Sequence, residues 1–544
     1  MSKKIIKYGT DARKAIQTGV NAVVNAVKTS YGPVGRTTII AQSYGSPVVT
    51  NDGVTIAKAI ELEGLEQMGV ALVQQAANKT NERAGDGTTL TTVLTGAMIN
   101  EGIRVVEAGS DPVKVKVGIN KAVAFAQEYL NKATVPVNTK KDKANVARIS
   151  SRSDEIANMV AEILEEVGNN GVVTVQTGDS NKIEKEVAQG MQFDKGYKSP
   201  YLVTDTAKME AIADKPMILV TDRKVSSIQD VVPVIEAMAQ MGRKDLVIIA
   251  EDIEGEALAT FVLNKMRGVF NVYAVQAPAF GDRRKAMLED IAVLVGATFV
   301  SSDLGMQLKT TTVEDLGSAD KVIMTKDTTT IVGGKGDTNE LNMRIRLIQS
   351  GVRDTTSEYD REKLMERLAK LAGGVGIIKV GASSEVEMKE LKFVVEDALN
   401  ATKAAVAEGV VPGGASTLVR ISTGLSTLTA DDEDQKIGIS IVQRALLTPF
   451  RAIAENSGMY DISVVMQEIA KSPKAGFNFK TMQPVEDMLK SGIIDPKMVL
   501  REAIDNASSV ASSVITTQVV ICDEPVSASS PAMPSGMGGM GMDY

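Results

Sequence analysis

A chain of 544 residues, 44% apolar and 24% charged, is too apolar for global disorder and long enough for roughly two to four domains. It has no histidine and one cysteine, Cys522, which excludes an intrachain disulfide, a cysteine metal cluster and histidine acid–base chemistry. The formal net charge of −8 argues against nonspecific binding to nucleic acid or an anionic membrane.

The first residues, Met1-Ser2-Lys3-Lys4-Ile5-Ile6-Lys7, carry no apolar signal core and no Arg-rich transit pattern. No apolar run reaches about 18 residues, so a soluble cytoplasmic protein is expected. Thr10 is placed to cap a helix over 11–29, with Ala12, Ile16, Val20, Val23, Val24 and Val27 as its stripe. That helix stops at Ser30-Tyr31-Gly32-Pro33, where proline cannot continue it. Residues 37–41 and 48–50 read as strands, and Asn51-Asp52-Gly53 as a turn leading into Val54-Thr55-Ile56.

Two helical patterns, about 66–83 and 88–100, flank Ala84-Gly85-Asp86-Gly87-Thr88-Thr89. The glycines permit a sharp turn and close approach of backbone to a ligand. Thr88 and Thr89 fall in the first turn of the second helix, whose free N–H groups favour an anion. Asp86 would repel that anion unless a cation lies between them, which suggests Mg²⁺ bridging to a nucleotide. On local features the same turn reads equally as an ordinary helix–turn–helix capped by Asp86 or Thr88. No Walker-type lysine follows, so this is not a P-loop.

From about 133 the sequence turns polar and Lys-rich, then predicts a helix near 154–167 and a strand at 172–175. Short buried-strand runs follow at 217–220, 246–249, 272–275 and 298–300, separated by amphipathic segments. That alternation predicts a βα-type domain with a largely parallel sheet. Ile228, Val231, Val232 and Ile235 form one helical stripe. Leu258, Phe261, Val262, Leu263 and Met266 spread further round their helix than one core face needs. They read either as a two-sided core helix or as a surplus apolar edge that binds partners.

A helix over about 356–372 ends at Gly373-Gly374. In the next helix Asp397 lies beside Phe393, Val394 and Ala401, a carboxylate in an apolar stripe, which is costly without a partner. It reads either as paired with a lysine or capping a neighbour, or as held ready for a ligand. After Gly409 the text becomes Ala-, Ser- and Thr-rich and helical again, like the first 130 or so residues. The last stretch, 527–544, is mostly Ser, Pro, Gly and Met and is expected to be disordered.

The Ala84–Thr89 motif resembles the phosphate-binding signature of the group I chaperonins, the bacterial GroEL type. The resemblance runs over nearly the whole chain. It includes Ala279-Phe280-Gly281-Asp282-Arg283-Arg284-Lys285-Ala286-Met287-Leu288 and Lys370-Leu371-Ala372-Gly373-Gly374-Val375. Ala405-Val406-Ala407-Glu408-Gly409-Val410-Val411-Pro412-Gly413-Gly414 and the Gly-Met tail complete it.

The resemblance implies a multidomain α and α/β fold. A helical equatorial domain (1–132 and 408–526) would bind ATP and make ring contacts. A small intermediate domain (133–188 and 376–407) would act as hinge, and an inserted α/β apical domain (189–375) would bind clients. It implies that Asp52 and Asp397 position the attacking water and that Asp86 holds Mg²⁺. Ser30, Tyr31, Gly32, Pro33, Asn51, Gly87, Thr88, Thr89, Leu90, Gly413, Gly414, Asn478 and Asp495 would complete the nucleotide pocket, with K⁺ as a candidate monovalent ion. Tyr197, Tyr201, Leu202, Val232, Ile235, Leu258, Val262 and Leu263 would line a groove for unfolded polypeptides and then for a GroES-type co-chaperonin. Gly190, Gly374 and Gly409 would be hinges.

The implied assembly is a homo-oligomer of two stacked seven-membered rings, working without nucleic acid or membrane. The chain departs from the family at Leu90, Asn51 and Phe479-Lys480, where a threonine, a lysine and an alanine pair are common. These departures bear on nucleotide and monovalent-cation details. Two other classes compete: a soluble ATP-dependent metabolic enzyme such as a kinase or ligase, and a passive holdase whose client binding ignores Asp397.

Overall fold

The first helix, Gly9–Val27, starts earlier than expected and takes no cap from Thr10: Tyr8 precedes it in extended conformation with no side-chain cap. It is seen in a computed structural model that describes residues 4–42, 47–168, 171–178, 180–206 and 208–524. The Gly/Met-rich tail 527–544 lies outside the described residues. Tertiary packing, not the cap, fixes the helix: Ala12, Ile16, Val20, Val23 and Val27 are buried at helical spacing.

The chain divides into two compact units. One comprises residues 1–154 and 400–544, the other residues 155–399. The first unit is helical. Gly64–Ala84, Thr88–Glu107 and Pro112–Ala133 come from its first part, and Glu433–Ala445 and Lys497–Ile515 from its second. Their shared core is aliphatic, with Leu94, Met98, Ile119, Leu418, Val442 and Ile504 buried. Small residues such as Ala503, Ala507 and Ala511 let helices approach closely where aromatics are scarce. Among the described residues the two terminal strands pair here: Lys4–Tyr8 runs antiparallel to Val519–Asp523. Among the described residues one stretch, 433–456, is long and apolar enough to cross a membrane by composition. It is two helices, Glu433–Ala445 and Thr448–Asn456, with Val442, Phe450 and Ile453 in the helical core.

The second unit is built on an eight-stranded sheet. Asp245–Ala250 lies parallel to Asn271–Gln276 and to Met217–Thr221, and Phe299–Val300 also joins Met217–Thr221 in parallel. The other half is antiparallel: Gly317–Met324 pairs with Thr329–Gly334, Met217–Thr221 and Ala211–Asp214, and Gly190–Phe193 completes it. The expectation of a largely parallel sheet therefore holds for one half only. The link from Met324 to Thr329 is too short for a crossover and permits only a hairpin. A second, three-stranded sheet holds Val375–Val380 between Val172–Thr177 and Glu184–Ala188. Helices Gly281–Val295, Thr338–Asp354 and Glu358–Ala372 are tied together by Asp290, whose carboxylate takes Arg344 Nε at 2.7 Å and Arg367 Nε at 2.8 Å.

Candidate nucleotide site and apolar groove

Gly64–Ala84 ends on Gly85, left-handed at φ 68°, whose N–H returns to the Asn81 carbonyl. Gly87, at φ 91°, opens Thr88–Glu107 with no side chain capping it. Between them the Asp86 carboxylate accepts from the Gly87 N–H. Side chains would not fit at either glycine. A Cβ on Gly85 would lie 2.2 Å from Asn400 Cβ, and one on Gly87 would lie 2.6 Å from Val499 Cγ1. Beneath the turn, Thr91 Oγ1 lies 2.9 Å from the Gly87 carbonyl and 3.0 Å from Thr80 Oγ1, which accepts from Asn506 Nδ2 at 3.0 Å. Sequence reasoning missed this network; its one signal was threonine on otherwise apolar helix faces. The Leu90 side chain is buried in the helical core, which leaves only its backbone for a ligand.

The turn read at Asn51-Asp52-Gly53 is the start of a helix, with Asp52 as its cap. Its carboxylate accepts from Val54 N–H at 3.2 Å, Thr55 N–H at 2.8 Å and Thr55 Oγ1 at 2.6 Å, opening the short helix Gly53–Lys58. Asn51 precedes it, half-buried. A Cβ on Gly53 would lie 2.2 Å from Thr89 Oγ1, so this turn rests on the Asp86 turn.

Asp495 lies in Ile494–Pro496, opposite Val411 of Val410–Pro412, and accepts from the N–H groups of Gly414 and Ala415. Gly413 crosses Ile494 so closely that its Cβ would lie 2.8 Å from that backbone. Ala415, at φ 59°, is a left-handed residue the sequence did not flag. Tyr31 follows buried Ser30, whose Oγ donates to the Val27 carbonyl. Asn456 Nδ2 holds the Tyr31 carbonyl at 2.9 Å and Arg152 Nη2 the Gly32 carbonyl at 2.9 Å; Pro33 is exposed. Asn478 folds its own turn, its Oδ1 accepting from Lys480 and Thr481 N–H. Phe479 stacks into the core beside Phe450 and Phe477, and only Lys480 of that departing pair is exposed.

Electrostatics link these groups. Burial raises the Asp86 carboxyl above its ordinary value, opposed by the Gly87 N–H and reinforced by Asp52. Burial, reinforced by Asp86, lifts Asp495 to about 7 against its backbone donors. Tyr31 is raised by burial, then by Asp495 and Asp86. The groups acting on the two carboxylates are each other, Asp52 and backbone N–H, with no lysine or arginine among them. Among the described residues no group of three or more carboxylate or cysteine side chains is set to hold a metal. This donor set fits a hard cation that takes one carboxylate and completes its shell with phosphate oxygens and water, as Mg²⁺ does.

The raised Asp495 value carries a sign. A carboxyl raised by folding favours the fold fully below its ordinary value of 3.8, and that contribution is lost as pH rises through about 7. Nucleotide-free protein is therefore expected to lose thermal stability between pH 4 and 7 relative to Asp495→Asn. Parallel melting curves for the two proteins contradict the assignment.

The second unit carries an open apolar groove of about 540 Å³ lined by Tyr201, Gly255, Leu258, Ala259, Val262, Leu263 and Met266, with Ser199. Helix Gly255–Met266 buries Ala257 and Phe261. Leu263 is 46% and Met266 72% exposed, so its apolar residues exceed one core face. Four residues expected to line the groove do not, Val232 and Ile235 among them; Leu202 is fully buried, and Tyr197 packs in the core against the sheet. The Tyr201 side chain, 71% exposed, alternates outward from them. Val232 and Ile235 are half-buried on helix Val232–Gln240, whose core face is Val234 and Met238. Met266, Ala259 and Gly255 were not singled out as groove residues, although Met266 follows Val262 by one helical turn.

A comparison with known families matches residues 23–525 to the TCP-1/cpn60 chaperonin family. The chain belongs to the TCP-1/cpn60 chaperonin family. Membership of the chaperonins brings a chaperone role in protein folding, with unfolded polypeptides as partners and an oligomeric ring as the assembly.

In this chaperonin Asp397 sits on helix Glu385–Glu408 at the edge of the buried stripe, which is Val395, Ala398 and Leu399. It is half-buried, beside exposed Phe393, and not within the apolar stripe that spacing suggested. The three proposed hinge glycines differ in kind. Gly374 and Gly409 are left-handed at φ 65° and 84° and follow helices Glu358–Ala372 and Glu385–Glu408. Gly190 lies in a strand, where a Cβ would sit 2.4 Å from the Ile331 carbonyl, so close packing demands glycine there. None of the three coincides with the boundaries of the compact units at 154/155 and 399/400.

Proposed function

We propose that the chain is a group I, GroEL-type chaperonin whose folding cycle is driven by ATP hydrolysis with Mg²⁺. The observation that carries this reading is Asp86, held between two left-handed glycines at the uncapped start of Thr88–Glu107, in the field of Asp52 and Asp495. Bound Mg²⁺ would neutralise phosphate charge at Asp86. Thr88, Thr89 and Leu90 would offer backbone N–H groups to phosphate oxygens, with Gly87 turning the chain toward them. Asp52 keeps acceptor capacity beyond its cap bonds and, with Asp397, would orient the attacking water. Asp495 would accept from ribose hydroxyls, with Ser30, Tyr31, Gly32, Pro33, Asn51, Gly413, Gly414 and Asn478 around sugar and base.

The groove of Tyr201, Leu258, Val262 and Leu263 would capture apolar segments of unfolded chains and later receive a GroES-type lid. Contact by area rather than by directed bonds suits many clients. ATP shifts this equilibrium only by preferring the state in which the groove is withdrawn. The assembly would be two stacked seven-membered rings in the cytoplasm, with K⁺ as a candidate additional ion.

The test is Asp397→Ala. Steady-state ATPase is expected to fall about 100-fold or more, the usual worth of a positioned base, with nucleotide affinity within a few fold. Native mass of the same sample should report a seven- or fourteen-subunit particle. An unchanged ATPase, or a monomer or dimer that hydrolyses ATP, sinks the proposal.

A further inference from the structure

One half-buried cation in the second unit is not used by the nucleotide chemistry. Lys265 lies on groove helix Gly255–Met266, one residue before Met266. Its ammonium donates to the Leu202 carbonyl and stands 4.7 Å from the centre of the Tyr273 ring. Leu202 closes the turn Pro200–Leu202, and the middle residue of that turn is Tyr201, the exposed aromatic wall of the groove. Tyr273 is itself fixed, buried in strand Asn271–Gln276 with its hydroxyl donating to the Ile212 carbonyl at 3.2 Å. The lysine thus joins three elements: the helix lining the groove, the turn that carries its wall, and the sheet behind both.

We propose that Lys265 is a positioning residue for client capture, a charged pin that holds the Tyr201 wall at a set distance from Leu258, Val262 and Leu263. This rests on the reading of the groove as the client site. A wall fixed beforehand need not be ordered when a chain binds, so the pin strengthens capture without touching the client.

The pin also has a switch point. Burial lowers the Lys265 pKa to about 8, opposed by Asp245, the acidic group acting on it from the neighbouring strand. Asp245 is itself held by Asn271 Nδ2 at 2.8 Å. The Tyr273 phenol is raised by burial and by Asp245 and Asp214, so it stays neutral. Asp230, on the turn Ile228–Asp230 beside the helix, pairs with Lys309 at 3.9 Å. Raising the pH from 7 to 9 therefore discharges Lys265, and the charge-assisted bond to Leu202 is lost.

The experiment uses the full-length, nucleotide-free protein and reduced, carboxymethylated α-lactalbumin as a fluorescent unfolded probe. Lys265→Met is expected to weaken probe binding about five- to tenfold at pH 7, as loss of one charge-assisted bond allows. Lys265→Arg, which keeps its charge, should bind like the parent at pH 7. Parent affinity should fall between pH 7 and 9 while that of Lys265→Arg stays level, a difference that a merely structural role does not produce. Leu263→Ser serves as the control for the groove itself. If Leu263→Ser weakens binding but Lys265→Met does not, or if the parent and Lys265→Arg share one pH profile, the pin is wrong and the groove reading stands. If Leu263→Ser leaves binding unchanged, the groove reading fails and takes the pin with it.

Discussion

Replacing Asp86 with alanine is expected to reduce Mg²⁺-dependent ATP hydrolysis by about 1,000-fold or more, the scale on which a metal ion stabilises transition-state charge. Among the described residues there is no cluster of ligands to take over. A conservative swap does not help: asparagine keeps the shape but not the charge that draws a hard cation. The variant should retain its turn, because Gly85 and Gly87 set the backbone and the Thr80–Thr91–Asn506 network supports it from below. It should also move its neighbours. Asp86 helps to raise both Asp495 and Tyr31, so its removal lowers both pKa values. ATPase measured across an Mg²⁺ titration checks the first effect, and carboxyl titration by NMR the second. Activity within threefold of the parent removes Asp86 from the metal site.

The largest stability loss is expected at Asp290→Ala, about 3–5 kcal/mol, the usual effect of taking one partner from a buried ion group. Asp290 is 1% exposed and accepts from two guanidinium groups, Arg344 and Arg367, which also reach the Ala286 carbonyl. Glu289, 2.8 Å from Arg344, is the remaining acid and stands nearer the surface. Without Asp290 two cations face each other inside a three-helix junction. Hydrogen exchange should rise together in Gly281–Val295, Thr338–Asp354 and Glu358–Ala372 while Thr88–Glu107 stays protected. Replacing all three ionic residues by packed apolar ones should restore protection, since the group gives register more than net energy. Uniform exchange across the chain after Asp290→Ala rejects this account.

Helical spacing was the most legible signal. The stripe of Gly9–Val27, the paired helices around Asp86 and the Val/Ile runs of the parallel strands all declare their buried faces by period alone. Thr329–Gly334 was not legible, because its threonines and glycines carry neither run nor alternation; neighbouring strands bury them. The Asp52 turn was legible as a turn but not as a helix cap, because that choice depends on Thr55 and on Thr89 packed behind it. Within the site, the glycine-flanked Asp86 turn could be read from sequence. The contributions of Ala415, Arg152 and Asn456 could not, since each acts through backbone groups brought from distant segments. Leu202 was misplaced for a similar reason: two adjacent side chains on a short turn point opposite ways, and spacing does not say which one is outside.

The strand pairing of Lys4–Tyr8 with Val519–Asp523 sets an order of events during synthesis. Lys4 meets Asp523 across a separation of 519 residues, so the earlier strand of this pair, once made, waits for most of the described chain before its partner appears. Residues 155–399 are continuous and hold their own cores, and they can close while translation is still under way. The helical unit must keep its first half, rich in aliphatic surface, unsatisfied until the second half emerges, a slow non-local closure. A subunit that shelters unfinished chains is, for most of its own birth, an unfinished chain with the same need.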